Sequence, residues 1–394
     1  MRTWIARLGV AVALVAAAGV PAHAQKLRFS GFGDFVFGVT NGEPADPASA
    51  IKFDEFGSDP NPVNTNRGFG LTGTDFVVLA DMTEDVTFLG EVNLQTGRGG
   101  SSDLELDVER FFVNYQVNQK FNVQAGLFFT PIGYNNRFLY ARAWLMNSIQ
   151  VPDFFEEELN LFPTHSIGVA AHGEFPMKDG HRIAYVVSAS NGRPTTPDSA
   201  VYARDFTDDK EVTGLVEWLI PGFKDSRIGI SGWIGGIRTT LVPELGDFVD
   251  GASAHQIELA EQGIDAYVVI HRQLFSINAE YVRSTQTDEL GNLGGGKFVT
   301  QGGLAELAFH VGGGRYHPYV RYDRTSLPVD GGPYLSLRQD AGMYTRVFVP
   351  ESEAVMTGLA FDLNQHTRLK AEFIRHLIGP RERNGVAFQT AFGF

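Results

Sequence analysis

The sequence predicts an all-β protein, a single closed antiparallel β-barrel of sixteen strands that spans a membrane. Three observations support this prediction. Apolar and polar residues alternate with a period of two along many segments, short and long connections follow one another in turn, and Tyr or Phe marks many segment ends. The segments run for about ten residues, the length of a tilted membrane-crossing strand, whereas an ordinary strand has about five or six.

The alternation is clear in RFFVNYQV, residues 110–117. Successive side chains of a strand point to opposite faces, so this segment has one apolar and one polar face. The apolar face holds Phe111, Val113, Tyr115 and Val117, and the polar face holds Arg110, Asn114 and Gln116. A β-sandwich also alternates, but the length of the segments and their aromatic ends favour the barrel.

Seven short turns and eight long loops separate the predicted strands. An even number of strands, with tight turns at one end and long loops at the other, is typical of an outer-membrane barrel. Lipid cannot satisfy backbone N–H and C=O groups, so we expect the last segment to close onto the first. The predicted strands are residues 27–38, 69–81, 86–95, 106–117, 121–127, 166–175, 181–190, 211–220, 226–237, 257–270, 274–283, 299–310, 315–323, 353–362, 367–376 and 385–394.

The first 24 residues predict a secretory signal peptide, which implies export to the outer membrane. Arg2 and Arg7 mark a basic region, an apolar core follows, and Ala22-His23-Ala24 is a small-x-small cleavage site. The apolar run is too short for a transmembrane anchor. We expect cleavage after Ala24 and one barrel domain over residues 25–394.

Composition narrows the class of protein further. The formal net charge is -14 and there is no cysteine. An acidic chain is a poor nucleic-acid binder, and an exported chain without cysteine must be stable without disulfides. The 45 glycines and 31 phenylalanines favour β architecture.

The segment VQAGLFFTPIGYNNRFLYAR, residues 123–142, carries a family resemblance. It is similar to the "AGxFxTPxGxxNxR" stretch of the phosphate-selective porins and related diffusion porins of Gram-negative bacteria. The resemblance implies a homotrimeric outer-membrane channel whose long third loop folds into the lumen. It also implies that the terminal aromatic residues Phe392 and Phe394 are read by the barrel-assembly machinery.

Phosphate-selective porins carry dense arginine and lysine arrays, and this chain departs from that pattern. Its predicted lumen faces hold eight basic and nine acidic residues, a mixed lining. The basic residues are Arg28, Arg110, Arg182, Arg227, Arg315, Arg321, Arg368 and Lys370. The acidic residues are Asp34, Asp75, Glu91, Glu217, Asp265, Glu280, Glu306, Asp323 and Glu372. Arg110, Arg315 and Arg321 either form a basic track or pair with neighbours such as Glu91 and Glu306.

The longest predicted loop, residues 128–165, is the candidate pore constriction. Facing charged side chains set ion selectivity at such a constriction. The alternative is that its acidic run is a solvated loop tip. The candidate residues are Arg137, Arg142, Asp153, Glu156, Glu157 and Glu158.

The sequence therefore predicts a porin, a water-filled channel for passive diffusion of small hydrophilic solutes or ions. The alternatives are an anion- or phosphate-selective channel, a loop-plugged structural or adhesive barrel, and a barrel enzyme. Catalysis has little support, because a Gly-x-Ser-x-Gly elbow is absent and Ser166 and His172 share the lumen side. The first loop, with Asp46, Asp54 and Asp59, lacks the EF-hand calcium pattern. We expect no cofactor and no metal.

Overall fold

The barrel is described from a computed structural model of the 394-residue chain. The described residues are 26–40, 67–96, 104–140, 142–155, 161–193, 210–222, 226–241, 255–291, 296–328, 351–378 and 381–394.

Sixteen antiparallel strands form one closed sheet, in which each strand pairs with its neighbours in sequence and β1 pairs with β16. This confirms the predicted strand number and the closure by the terminal segment. The strands are β1 Lys26–Thr40, β2 Arg67–Asp81, β3 Val86–Thr96, β4 Leu104–Asn118, β5 Phe121–Phe129, β6 His165–Pro176, β7 Arg182–Asn191, β8 Lys210–Ile220, β9 Ser226–Leu241, β10 His255–His271, β11 Phe275–Asp288, β12 Lys297–Phe309, β13 Tyr316–Ser326, β14 Glu351–Asn364, β15 Thr367–Ile378 and β16 Arg381–Gly393.

Across the described strands, the exposed apolar residues lie mainly on one face and the buried charged residues on the other. In β4 the predicted apolar residues Phe111, Val113 and Tyr115 are all exposed. In β13 the buried positions are the alternate residues His317, Tyr319, Arg321, Asp323 and Thr325. The apolar face is the outer surface of the barrel, and the buried face is the inner surface. A barrel with this pattern is suited to lipid outside and polar contents inside.

Closure at β1 and β16 includes the last residue. Phe35 pairs with Thr390 and Val36 with Gln389. Beyond the strand pairs, the backbone N–H of Phe394 donates to the carbonyl of Gly31, and the Gly31 N–H donates to the carbonyl of Phe394, both at 2.9 Å. The Phe394 ring meets Phe76 edge-on at 6.3 Å. The terminal residue is thus part of the sheet.

A β-bulge in β4 changes which residues face inward. The register with β3 shifts between Glu91 and Val92. Because of this extra residue, the adjacent Glu109 and Arg110 both contact the inner side, Glu109 through His165 and Arg110 through Glu91. A bulge re-aims side chains in this way.

Short turns connect the strands at one end. The turn between β12 and β13 uses three glycines with positive φ, Gly312, Gly313 and Gly314. None of the helices in the described ranges is long and apolar enough to cross a membrane.

The connection between β5 and β6, residues 130–164, is called loop 3 below. It forms short helical turns at Asn135–Leu139, Ala143–Leu145 and Asp153–Phe155. Residues 141 and 156–160 of this loop lie outside the described ranges.

Candidate functional site: loop 3 and the inner face of the barrel

Loop 3 contacts the inner faces of strands on several sides of the barrel. Its partners belong to β3, β8, β9, β11, β12, β13 and β15, and the contacts are hydrogen bonds or ion pairs. The wall residues that make them are Glu91, Glu217, Ser231, Glu280, Glu306, Arg321, Arg368, Lys370 and Glu372.

Glu280 holds the beginning of loop 3. Its Oε2 accepts hydrogen bonds from the backbone N–H of Tyr134 at 3.2 Å and of Asn135 at 2.9 Å. The Asn135 side chain donates a third bond at 2.6 Å. Next to it, the Gly133 N–H donates to Ser231 Oγ at 3.2 Å. The buried carboxylate therefore satisfies backbone donors that the irregular loop leaves without a sheet partner.

Gly133 lies directly over this carboxylate in a left-handed conformation, with φ of +61°. A methyl group at this position would collide with Glu280 Oε1 and lie 3.1 Å from Asp265 Oδ2. Only glycine combines this backbone conformation with such a close approach. The glycine of the TPIG stretch thus has a structural reason in this chain.

Arg321, Lys370 and Glu372 hold the middle of loop 3. Arg321 donates to Ser148 Oγ at 2.6 Å and to the Gln150 carbonyl at 2.7 Å, while it forms an ion pair with Asp323. Lys370 donates to the Ala143 and Ser148 carbonyls at 2.6 and 2.8 Å.

The carboxylate of Glu372 completes this part of the site. Its Oε2 accepts the Ile149 N–H at 3.1 Å and the Tyr319 hydroxyl at 2.6 Å. Two further wall side chains add to the same region. Asn147 donates to Glu306 at 2.9 Å, and Arg368 donates to the Met146 carbonyl at 3.2 Å.

An apolar cluster packs the rest of loop 3 against β9, β11 and β12. Phe162 meets Trp233 edge-on at 5.9 Å, and Phe154 and Phe155 pack at 4.9 Å. This cluster could not be predicted from the alternation, because its wall members lie on a face predicted to be polar. Its members are Ile132, Phe154, Phe155, Leu161, Phe162, Trp233, Val282 and Leu304.

Two predicted loop arginines pair with wall carboxylates. Arg137 lies 3.0 Å from Glu217, and Arg142 lies 3.9 Å from Glu91. Burial and the nearby Arg110 lower the pKa of the Arg142 guanidinium from its ordinary value, and Glu91 opposes this shift. Arginine nonetheless stays protonated at neutral pH. Both arginines also face aromatic rings, Arg137 over Phe138 at 4.8 Å and Arg142 over Phe32 at 5.8 Å.

These arginines are more accessible than the carboxylates behind them. The Arg137 and Arg142 side chains are 18% and 16% exposed. Their partners Glu217 and Glu91 are 3% and 2% exposed. The arginine side chain is therefore the more accessible partner in both pairs.

Several other predicted wall residues have local partners. Asp34 accepts from Gln389 at 2.6 Å, and Asp75 accepts from Asn93 at 3.0 Å. Those nearer the short-turn end are more exposed. Arg28 pairs with Asp81, Arg182 with Glu174, and Arg315 donates to the Leu363 carbonyl.

The interpretation of Arg110, Arg315 and Arg321 as a continuous basic track gains no support from these contacts. Arg110 pairs with Glu91, and Arg321 pairs with Asp323. Arg110 and Arg321 therefore fit the alternative, in which the arginines pair with neighbouring carboxylates. Glu306 instead accepts from loop 3.

Several predicted residues lie outside the described part of the chain. They are Glu156, Glu157 and Glu158 of loop 3, the acidic residues of the first loop, and the signal peptide. The backbone of Asp153 is described, but its side chain is not.

Buried carboxylates that the candidate set omitted also lie on the inner face. Glu211 and Glu261 share the parity of Glu217 and Asp265, so the period of two would have found them. Glu261 pairs with Arg193 at 2.6 Å. Glu109 comes inward only because of the bulge, which the alternation does not reveal.

Ser166 and His172 do not form a catalytic pair. Ser166 Oγ lies 2.7 Å from Thr130 Oγ1, and His172 Nε2 lies 2.8 Å from Asn114 Oδ1. Each polar side chain thus has a different partner.

The comparisons with known proteins concern the fold. No protein-family model matches the chain, and no curated protein sequence matches it. Among solved structures, the chain is similar to an anion-selective porin from Comamonas acidovorans, with a TM-score of 0.56, 10% identity, and coverage of 94% of this chain and 100% of that one. It is also similar to the outer-membrane protein OmpT of Vibrio cholerae, with a TM-score of 0.55, 10% identity, and coverage of 95% and 99%.

A third similar structure is OprB of Pseudomonas putida, with a TM-score of 0.53, 8% identity, and coverage of 93% and 94%. At these identities the likeness is one of fold. The chain has the closed sixteen-strand barrel fold found in outer-membrane porins and channels.

Proposed function

We propose that this protein is an outer-membrane porin, a water-filled channel through which small hydrophilic solutes and ions diffuse passively. The observation that carries the proposal is the closed barrel with an apolar outer face and a charged inner face. A sixteen-strand barrel is wide enough for an aqueous channel. The fold likeness to porins over nearly the whole chain supports the same function.

We infer that loop 3 lies inside the barrel and narrows the channel. Its partners Glu91, Glu280 and Lys370 belong to β3, β11 and β15, which are far apart around the sheet. A segment that reaches all three inner faces must cross the interior. The polar contacts with these strands support a fixed position for the loop.

The channel has no catalytic step in this proposal. A polar lumen lowers the free-energy cost of carrying a hydrated solute across hydrocarbon, and wall charges bias which solutes pass. We place the protein in the outer membrane, assembled through recognition of Phe392 and Phe394 and exported by a signal peptide. A homotrimer is the expected assembly.

We propose secondly a preference for anions, supported by the greater accessibility of two arginines. Arg137 and Arg142 are partly accessible, whereas their partner carboxylates are nearly fully buried. A passing ion therefore has more access to the arginine side chains than to the carboxylates, and field strength falls with distance. Glu156, Glu157 and Glu158 would reduce this preference if they line the constriction.

Liposome swelling tests the diffusion function. Vesicles containing the refolded protein should swell in solutions of small sugars, at rates that fall steeply as the sugar grows. Vesicles that received heat-denatured protein should not swell. A folded preparation that leaves vesicles impermeable to every sugar would favour the loop-plugged barrel, for which the apolar cluster around Trp233 is the supporting observation.

A further inference from the structure

Two histidines face each other at the short-turn end of the barrel. His310 follows β12 and His317 lies near the start of β13. The register Ala308 to Tyr319 and the bridge Val311 to Tyr316 place the two histidines directly opposite each other. Val311 and Tyr316 exchange both backbone hydrogen bonds, at 3.0 and 3.2 Å. The adjacent histidine pair is thus a non-hydrogen-bonded pair, where cross-strand side chains approach most closely.

The two imidazole rings face each other through their Nδ1 atoms. His310 Nδ1 and His317 Nδ1 are 2.8 Å apart, and the rings meet at 76° with centroids 5.0 Å apart. His317 lies on the inner face and is buried. Seven positions separate the two histidines along the chain.

A carboxylate orients His317. Its Nε2 lies 2.9 Å from Asp362 Oδ2, while Asp362 Oδ1 accepts from Arg368 Nε at 2.6 Å. An ionised carboxylate only accepts, so in the neutral imidazole of His317 the proton is on Nε2 and Nδ1 presents its lone pair toward His310. Metal-binding histidines almost always donate their other N–H to such a partner.

We propose that His310 and His317 form a two-nitrogen site for a divalent transition metal ion, with Asp362 as the positioning residue. Neutral imidazole suits Cu²⁺, Ni²⁺ and Zn²⁺, and Cu²⁺ binds most tightly in that series. Binding requires only that the His310 proton move from Nδ1 to Nε2, so no proton is lost overall. Water completes the coordination, which leaves the ion exchangeable.

The surroundings set the strength of the site. The charge of Arg368 is offset by its ion pair with Asp362. In the described part of the chain, no group of three or more His, Cys, Asp or Glu side chains is arranged to hold a metal. The site therefore has two protein ligands and is weaker than a closed structural zinc site. It does not depend on the proposed function.

Titration with Cu²⁺, followed by electron paramagnetic resonance, tests the proposal on the folded full-length protein at pH 7.5. The wild type should bind one equivalent with superhyperfine splitting from two nitrogens. His310→Asn and His317→Ala should each abolish the two-nitrogen signal. Asp362→Asn should keep both ligands but weaken binding by about 10–100-fold, the usual effect of losing such a partner.

The matched control is His366→Ala. His366 is an exposed histidine in the neighbouring turn, with its Nδ1 near the Gly393 carbonyl. This variant should bind copper as the wild type does. Unheated gel mobility shows whether each variant is folded, and His310→Asn keeps a polar side chain if His317→Ala is unstable. Equal copper binding by the wild type and by folded His310→Asn would overturn the proposal, and so would a wild type without the two-nitrogen signal.

Discussion

Single residues decide how loop 3 is held. Glu280 accepts three hydrogen bonds from Tyr134 and Asn135, and Gly133 passes directly above its carboxylate. A buried backbone N–H without a partner costs about 1–3 kcal/mol. The position of the loop therefore depends on a few contacts that can be removed one at a time.

Replacing Gly133 with alanine tests this dependence. A non-glycine residue in the left-handed region costs about 1–3 kcal/mol, and here the methyl group also meets Glu280. Gly291→Ala is the matched control, because Gly291 has φ of +73° but nothing within 4 Å of the added carbon. In denaturant unfolding, Gly133→Ala should lose more stability than Gly291→Ala. Equal losses would mean that the contact with Glu280 has no energetic weight.

Removing the Glu280 carboxylate is the second test at this scale. Glu280→Ala leaves the N–H groups of Tyr134 and Asn135 without their acceptor, and we expect a loss of about 1–3 kcal/mol in the free energy of unfolding. Glu280→Gln keeps one acceptor oxygen and should lose less. Glu84→Ala, in an exposed turn, serves as the neutral control. If Glu280→Ala unfolds like Glu84→Ala, the anchor is not formed.

At the scale of strands and loops, the strands can be predicted from local sequence pattern, but the long-range contacts of loop 3 cannot. The strands follow from the period of two, and each predicted strand lies within a few residues of its observed bounds. The partners of loop 3 do not follow from any period. Asn135 and Glu280 are 145 positions apart, and only barrel closure brings them together.

The same limit explains what the sequence did not reveal about the inner face. Trp233 and Leu304 lie on faces that a polar lumen should leave polar, and they are apolar because loop 3 packs on them. Glu109 faces inward because one extra residue is inserted in β4. Neither the apolar inner residues nor the inward position of Glu109 can be predicted from the alternation along one strand.

We expect Phe394 and Phe388, two aromatic residues at the end of the chain, to differ in their importance for barrel assembly. Phe394 exchanges backbone hydrogen bonds with Gly31, and its ring meets Phe76. We predict that Phe394→Ala lowers the amount of folded barrel recovered in the outer membrane. Phe388→Ala, which removes a similarly exposed ring from the same strand, should have a much smaller effect. Equal recovery of the two variants would argue against a special role for the terminal aromatic.

At the scale of the whole molecule, four ion pairs of the inner face have arginine as the more exposed partner, namely those of Arg110, Arg137, Arg142 and Arg227. In a salt gradient, we predict a reversal potential that indicates anion preference. Arg137→Gln and Arg142→Gln should each move it toward cations. Arg182→Gln is the control, because Arg182 and Glu174 are similarly exposed at 39% and 35%. An initial cation preference, unchanged in the arginine variants, would contradict the anion proposal.

Single-channel recording in planar bilayers shows directly whether the barrel encloses an open channel. We expect stepwise, long-lived increases in current in KCl solution, with conductance that rises with salt concentration. Gly133→Ala should change the step size, because it displaces loop 3, whereas Gly291→Ala should keep the wild-type step. Insertion of folded protein without any open-channel current would rule out a diffusion channel.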